Sequence, residues 1–579
     1  MRSTHRHTRV RIMLFVIVVG SMTLGITTAS SQGWPQWGGN QKHTGYVNIA
    51  AQNLNNILAN VVSDPFASQE TGGGGGLAVH YQAALTDSNS VYMAAKTGQY
   101  TGPFTWETQI WNERKFSWVG NNLVQQWNFE SDWKPVPNGD GALFFEPVFH
   151  AALSGNFVYV PGAGGSVFKL RKSDGSVVTR FNPFSSGASV SKNTFLVSPI
   201  SVDAQGNIYY TALRLRINDP VFNDPVNSWL VKITPDGTTR IEQFTDLVPG
   251  ATGKNVPCEV GFPDNGEPLP PAPDAVAPTF PCGTVRPAIN AAPAIGSDGT
   301  VVLVARNHVV SRFGYIVALN PDLTPKWAAS TRNLFNDGCN VTLPANGTPG
   351  GCRVGTTTGV DPETNTRGSG RINDNSTSSP VIAPDGSVIY GSQTRYNYAQ
   401  GHLLHYSSTG QFLGYYNFGW DITPAIYEHN GTYSIILKEN RYNVGTYCRL
   451  PQVCPAIRNS TSDPEAYFIT QLSPNLTVEW QYKNTNTQSC KRNPDNSITC
   501  VNDKPFSFEW CVNGVAVDAN GVVYANSEDG NTYAINQGGT LKKRTFLKIS
   551  LLSAYTPTSL GGDGKIYVQQ NGELFAVGQ

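Results

Sequence analysis

Apolar and polar positions along this chain alternate in short bursts, and one phrase recurs about eight times. It consists of an apolar run, a turn holding Asp-Gly or a relative of it, and a second β-rich run. The clearest copies run from Ser198 to Tyr210, Ala292 to Val302 and Ser379 to Tyr390. Two more lie at Asn513 to Tyr524 and Thr556 to Tyr567, with looser ones at Ala83 to Tyr92, Pro147 to Tyr159 and Thr423 to Tyr433. Each predicts two strands joined by a tight turn, because Asp-Gly supplies the positive φ angles such turns require. A hairpin repeated this often means a repeat architecture.

The segments after the hairpins define the unit. A third apolar strand, a polar turn and a strand bearing an aromatic are clearest from Gly314 to Trp327 and from Tyr467 to Trp480. His402 to Phe412 and Val167 to Val177 share the same plan. Four strands arranged radially make a propeller blade. About 44 residues separate Ser379 from Thr423, and nearly as many separate Asn513 from Thr556, which suits such a blade. The expected fold is all-β: a single eight-bladed β-propeller of four-stranded blades with disulfide-clipped loop insertions. Seven blades would result if one looser copy forms none. Helical periodicity is nearly absent, which argues against doubly wound enzyme folds.

The segment from Trp34 to Tyr46, with Trp37, Asn40, His43, Thr44 and Gly45, resembles the opening of pyrroloquinoline-quinone-like (quinoprotein alcohol dehydrogenase-like) propellers. The stretch from Ala318 through Asp322 and Thr324 to Trp327 is similar to that family's docking motif, in which a Trp packs on the next blade. The resemblance covers nearly everything after residue 33. It implies the fold, and for the active enzymes a quinone with Ca²⁺. Those enzymes carry adjacent cysteines beside the quinone, and some add a Cys-x-x-Cys-His haem module; this chain has neither. No compact acidic motif announces a Ca²⁺ site. The expectation is a propeller of this shape without a cofactor or metal, so pyrroloquinoline quinone with Ca²⁺ is the disfavoured alternative.

Residues 1–32 read as a secretory signal: Arg2, Arg6, Arg9 and Arg11, an apolar run from Ile12 to Ile26, then small residues. Cleavage is expected near Ala29 to Gln32, leaving residues 33–579 as the propeller in a secreted, periplasmic or extracellular setting. The apolar run is short for a membrane span, so no stable span is expected after cleavage. Removing the four arginines leaves 37 basic against 41 acidic residues, about −4 net. That balance gives no footprint for nucleic acid.

Nine cysteines fit an oxidising compartment. Their spacing suggests local clips between Cys258 and Cys282, Cys339 and Cys352, Cys448 and Cys454, and Cys490 and Cys500, with connectivity unproven by sequence. Cys511 is left over and reads as a buried thiol. Asn340, Asn346, Asn375, Asn430, Asn459 and Asn475 head Asn-x-Ser/Thr sequons, which would accept glycans in a eukaryotic secretory pathway. Gly72 to Gly76 lacks the Lys-Ser/Thr of a phosphate-cradling loop.

Residues preceding each hairpin should ring the channel mouth, where a ligand site is expected by default. They are His80, Tyr81, Glu146, His150, Asp374, Trp420, Asp421, Glu509 and Trp510. Read for chemistry, the histidines are bases and the carboxylates acids. Read for architecture, they hydrogen-bond backbone at blade ends. Three functions are open on these residues: a binding scaffold for a protein or glycan partner, which the missing cofactor motifs favour, a quinone- or metal-dependent oxidoreductase, and a polysaccharide hydrolase or lyase.

Overall fold

The computed structural model describes, besides Met1, residues 33–71, 79–138, 146–185, 189–262, 274–335, 361, 364–393, 400–419, 422–441, 466–551 and 557–579. Eight antiparallel sheets built on the four-stranded plan succeed one another along the chain. Blade one comprises Leu85–Asp87, Ser90–Gly98, Gln109–Val119 and Asn122–Ser131, from the axis outwards. The inner strands of the next seven are Ala152–Ser154, Ser201–Val202, Ala294–Ile295, Val381–Ile382, Ala425–His429, Ala516–Val517 and Ser559–Leu560. Every expected copy forms a blade. Among the described residues, no helix is long and apolar enough to cross a membrane.

The hairpin turns hold because their aspartates work in three directions. Asp203 accepts the backbone N–H groups of Gln205 and Asn207 at 3.0 and 2.9 Å, and the Tyr209 hydroxyl at 2.9 Å. Asp518 repeats this with Asn520, Val522 and Tyr524. A carboxylate taking backbone donors closes the turn, and the tyrosine ties it to the next strand.

Blades are joined to their neighbours by aromatic rings laid over turns. Trp327, on the outer strand of blade four, donates its indole N–H to Ser408 O of blade five at 2.9 Å and covers Gly410. Trp127 does the same for blades one and two, donating to Lys172 O at 3.1 Å over Gly175. A Cβ on Gly410 would meet the Trp327 ring at 2.6 Å, and its φ is +83°, so the position takes glycine twice over. The docking motif inferred around Trp327 is therefore present and recurs.

The ring is not closed by the segment whose pattern best suits that role. By its pattern Trp34 to Tyr46 is suited to pair with the C-terminal strand, but the partner of Glu573–Gly578 is Asn56–Val62. Blade eight thus takes three strands from the C-terminus and its outer strand from the N-terminal region. Trp34 to Tyr46 cannot run as a strand, because Gly38, His43 and Gly45 all have φ near +60°. Instead it winds once around the axis, touching the inner strands in order. Trp34 O accepts from Thr86 N, Pro35 O from Leu153 N, Gln41 O from Ile295 N, Lys42 O from Ile382 N, Thr44 O from Ile426 N, and Gly45 O from Val517 N. Gln36 pairs through its side chain, donating to Val202 O at 2.9 Å and accepting from Val202 N at 2.6 Å. Blade eight is reached through Thr86, whose hydroxyl accepts from Trp34 N and donates to Leu560 O. The segment plugs the channel at the face carrying the hairpin turns.

Of the four expected disulfides, Cys258–Cys282 and Cys490–Cys500 are formed, each clamping a small two-stranded hairpin between blades. Cys339, Cys352, Cys448 and Cys454 lie outside the described residues. So do Asn340, Asn346 and Asn459. Asn430 and Asn475 are exposed on blade-six turns, whereas Asn375 is half-buried.

The plug generates a prediction. Gln36→Leu leaves the buried Val202 N–H and C=O without their Gln36 partner, which should cost about 2–4 kcal/mol. Thermal or denaturant melting of the variant would measure it, and an unchanged midpoint would remove the plug from the stability of the ring.

Candidate functional site

The segments leading into the inner strands meet at the opposite face, and most of their polar groups are occupied. His150 is fully buried; its Nε2 accepts the Ala83 N–H at 3.2 Å, so the proton sits on Nδ1, which donates to Ala151 O at 2.8 Å. Burial pushes its pKa down to about 3, so the ring is neutral and both nitrogens are engaged. Trp37 of the plug meets this ring edge-on, with centroids 5.5 Å apart. His80, also buried, bonds Glu146 O through Nδ1 at 3.1 Å, and burial lowers it to about 4.

Asp374 is held by arginines. Arg286 grips both carboxylate oxygens, at 2.8 and 2.6 Å, Arg306 adds a contact at 3.2 Å, and Ile289 N–H donates to Oδ1. Burial alone would raise Asp374, but the two guanidinium groups outweigh it and keep the carboxyl well below its usual range. The cluster spans blades four and five. Its charge is locked into the scaffold.

Trp510 is fully buried, packed against Tyr482 and Tyr533, and exchanges hydrogen bonds with Asn440 through its backbone. Its face is turned into the core between blades six and seven. Glu509 is half-buried, and its backbone carbonyl accepts from Ser527 and Glu528. Trp420 and Asp421 lie outside the described residues. Cys511 is a buried free thiol; burial, with Glu528 and Glu509 adding like charge, raises it well above the usual thiol range. Such a thiol is a poor nucleophile.

One place gathers ionisable groups around open space. Lys96 Nζ lies 2.6 Å from Glu146, 2.9 Å from both oxygens of Glu70 and 3.1 Å from Asp64. The Tyr81 hydroxyl donates to Asp64 at 3.0 Å. All five side chains are buried. Burial would lower Lys96, but three carboxylates reverse that and raise it. A small cleft of about 20 Å³, room for little more than a water molecule, lies beside the cage, lined by Ser63, His80, Gln82, Trp111 and Phe149 together with Asp64, Tyr81, Lys96 and Glu146. The structure thus joins His80, Tyr81 and Glu146 from the predicted set and leaves His150, Asp374 and Trp510 elsewhere. It adds Asp64, Glu70 and Lys96, which the sequence did not single out. The one signal for Lys96 was a lysine ending the otherwise apolar run Ser90 to Ala95.

Among the described residues, no group of three or more His, Cys, Asp or Glu side chains is arranged to hold a metal ion. The cage carboxylates face an ammonium instead. Asp374→Asn should therefore act as a structural lesion, leaving two buried guanidinium groups without a counter-charge at about 3–5 kcal/mol. Chemical denaturation would show it, and a variant as stable as the native chain would contradict this assignment.

No family model matches the sequence, and no curated protein matches it. Solved structures do share its shape. The quinohemoprotein alcohol dehydrogenase of Comamonas testosteroni superposes with a TM-score of 0.50 at 12% identity, covering 95% of this chain and 81% of that one. The quinohemoprotein alcohol dehydrogenase ADHIIG of Pseudomonas putida HK5 gives 0.47 at 10% identity, over 95% and 76%. BamB of Moraxella catarrhalis gives 0.37 at 11%, over 90% and 99%. At such identities the likeness is one of fold: the chain is an eight-bladed β-propeller of the kind found in the quinohemoprotein alcohol dehydrogenases.

Proposed function

We propose that this propeller is an extracytoplasmic recognition scaffold that binds a protein partner through mouth-face loops of blades three and four. The carrying observation is a group of exposed apolar side chains around the Cys258–Cys282 hairpin. Phe222 is 74% exposed, and Val256, Val309 and Phe280 are 47%, 47% and 41% exposed. Hydrogen bonds place them side by side: Cys282 N–H donates to Val256 O, Val309 N–H to Cys282 O, and the His308 ring bonds Phe222 O through Nε2 at 3.1 Å. Apolar groups held in the open by a disulfide and by loop-to-loop bonds favour a docking surface. The disulfides and the N-terminal sequence favour an oxidising compartment.

A glycan partner is less well supported, because the cleft aromatics Tyr81, Trp111 and Phe149 are themselves buried and the space beside them is small. Hydrolysis or elimination is less well supported, because the cleft acids Asp64 and Glu146 are spent on Lys96. A quinone fits the described residues poorly. Its carboxylates need free cations, and Lys96, Arg286 and Arg306 already face protein carboxylates.

Two measurements test the reading. After incubation with pyrroloquinoline quinone and Ca²⁺ and removal of unbound cofactor by gel filtration, the ultraviolet–visible spectrum should be that of protein alone; a stoichiometric quinone band retained with the protein would overturn the non-redox assignment. A photo-crosslinker at position 280 should capture one defined protein, and Phe222→Asp with Val309→Asp should abolish that capture without shifting the melting temperature. Capture that persists in the double variant would discard this surface.

A further inference from the structure

The Lys96 cage stands where the ring is joined. Directly after the closing strand, Ser63 and Asp64 N–H donate to Gly572 O of blade eight at 2.9 and 3.0 Å. Lys96 N–H of blade one donates to Ser63 O at 2.7 Å, and the short helix Ala67–Thr71 brings Glu70 onto the same ammonium. Glu146 comes from the connection leading to blade two. The segment 63–71 therefore bridges the first and last blades, and side chains from three stretches of chain close on one point. Three carboxylates surround one cation, so full ionisation leaves surplus negative charge in a buried site.

We propose that this cage is a pH-set latch on ring closure: with a proton shared among its carboxyls it holds segment 63–71 against blades one and two, and with all three ionised it loosens the seam between blades eight and one. This concerns the closure of the ring and stands apart from the partner reading.

The groups facing the cage come from every element around it. Asp64 and Glu70 belong to the bridging segment, and Lys96 and Trp111 to blade one. His80 and Tyr81 precede its inner strand, and Glu146 precedes blade two. More distantly, Lys438 of blade six bears on His80, and Tyr100 feels Glu70. Burial pushes Glu146 up to about 7 and Glu70 up to about 9, Lys96 opposing and the neighbouring acids reinforcing. Both lie above the ordinary 4.5. A carboxyl raised on folding stabilises the fold fully below its unfolded value and loses that contribution as pH climbs to the folded one. The latch is therefore tight at pH 5 and loosens between about 4.5 and 9. His80, already neutral over that range, adds no opposing step.

Hydrogen exchange on the full chain, read by mass spectrometry and corrected for intrinsic chemical rates, tests this at pH 5.5 and 8.5. Peptides covering 56–71 and 566–578 should lose protection about tenfold or more at pH 8.5, while the blade-four strand Val301–Asn307 holds its value. Glu70→Gln with Glu146→Gln, which cannot ionise, should remove that difference. Equal protection of the seam at both pH values overturns the proposal, as does a loss that persists in the double variant. Glu146→Gln alone provides the same comparison between pH 5 and 7.5 if the double variant fails to fold.

Discussion

The inner strands of this propeller are two to five residues long, and each leaves backbone groups facing the axis with no neighbouring strand to pair them. Buried N–H and C=O groups must find partners, so something has to meet them there. Residues 34–47 do so by making one circuit and offering a carbonyl, or the Gln36 amide, to blade after blade. The same stretch continues into the outer strand of blade eight and then into the bridge at Lys96. Plug, closing strand and bridge are one continuous piece of chain, and the ring depends on it.

How much of this was legible depends on the reach of period-two patterning. The Asp-Gly hairpins announce the blades because turn chemistry and strand alternation are local, and all eight copies fold as read. The docking role of Trp327 was visible for the same reason: a ring and the turn it covers recur at a fixed place in the repeat. The closing strand was misplaced because Trp34 to Tyr46 is aromatic and rich in the family's opening residues, while Asn56–Val62 is an ordinary strand. The difference between them is the positive φ at Gly38, His43 and Gly45, which glycine content hints at and His43 does not.

The site was less legible. Proximity to an inner strand correctly marked the mouth, yet it could not say which polar groups have their partners built in. His150 and Asp374 look like a base and an acid until the Ala83 amide and the two arginines are seen beside them. Arg286 and Arg306 sit within blade-four strands, where nothing in their flanks distinguishes them from surface residues. Lys96, Asp64 and Glu70 are separated by up to 32 positions and belong to different elements. Only the closed ring makes them neighbours. A cluster created by closure leaves no contiguous trace in the chain.

The pairing of Asn56–Val62 with Glu573–Gly578 also sets an order of events. A chain made from its N-terminus has the plug and outer strand at hand from the start, but the blade they complete is the last to be made. Until residue 578 is available, the growing protein is an open arc whose first-made segment waits for a partner over five hundred residues away. A chain stopped early would yield no smaller propeller. It would keep two unpaired sheet edges, and its natural fate would be to join those edges to another molecule.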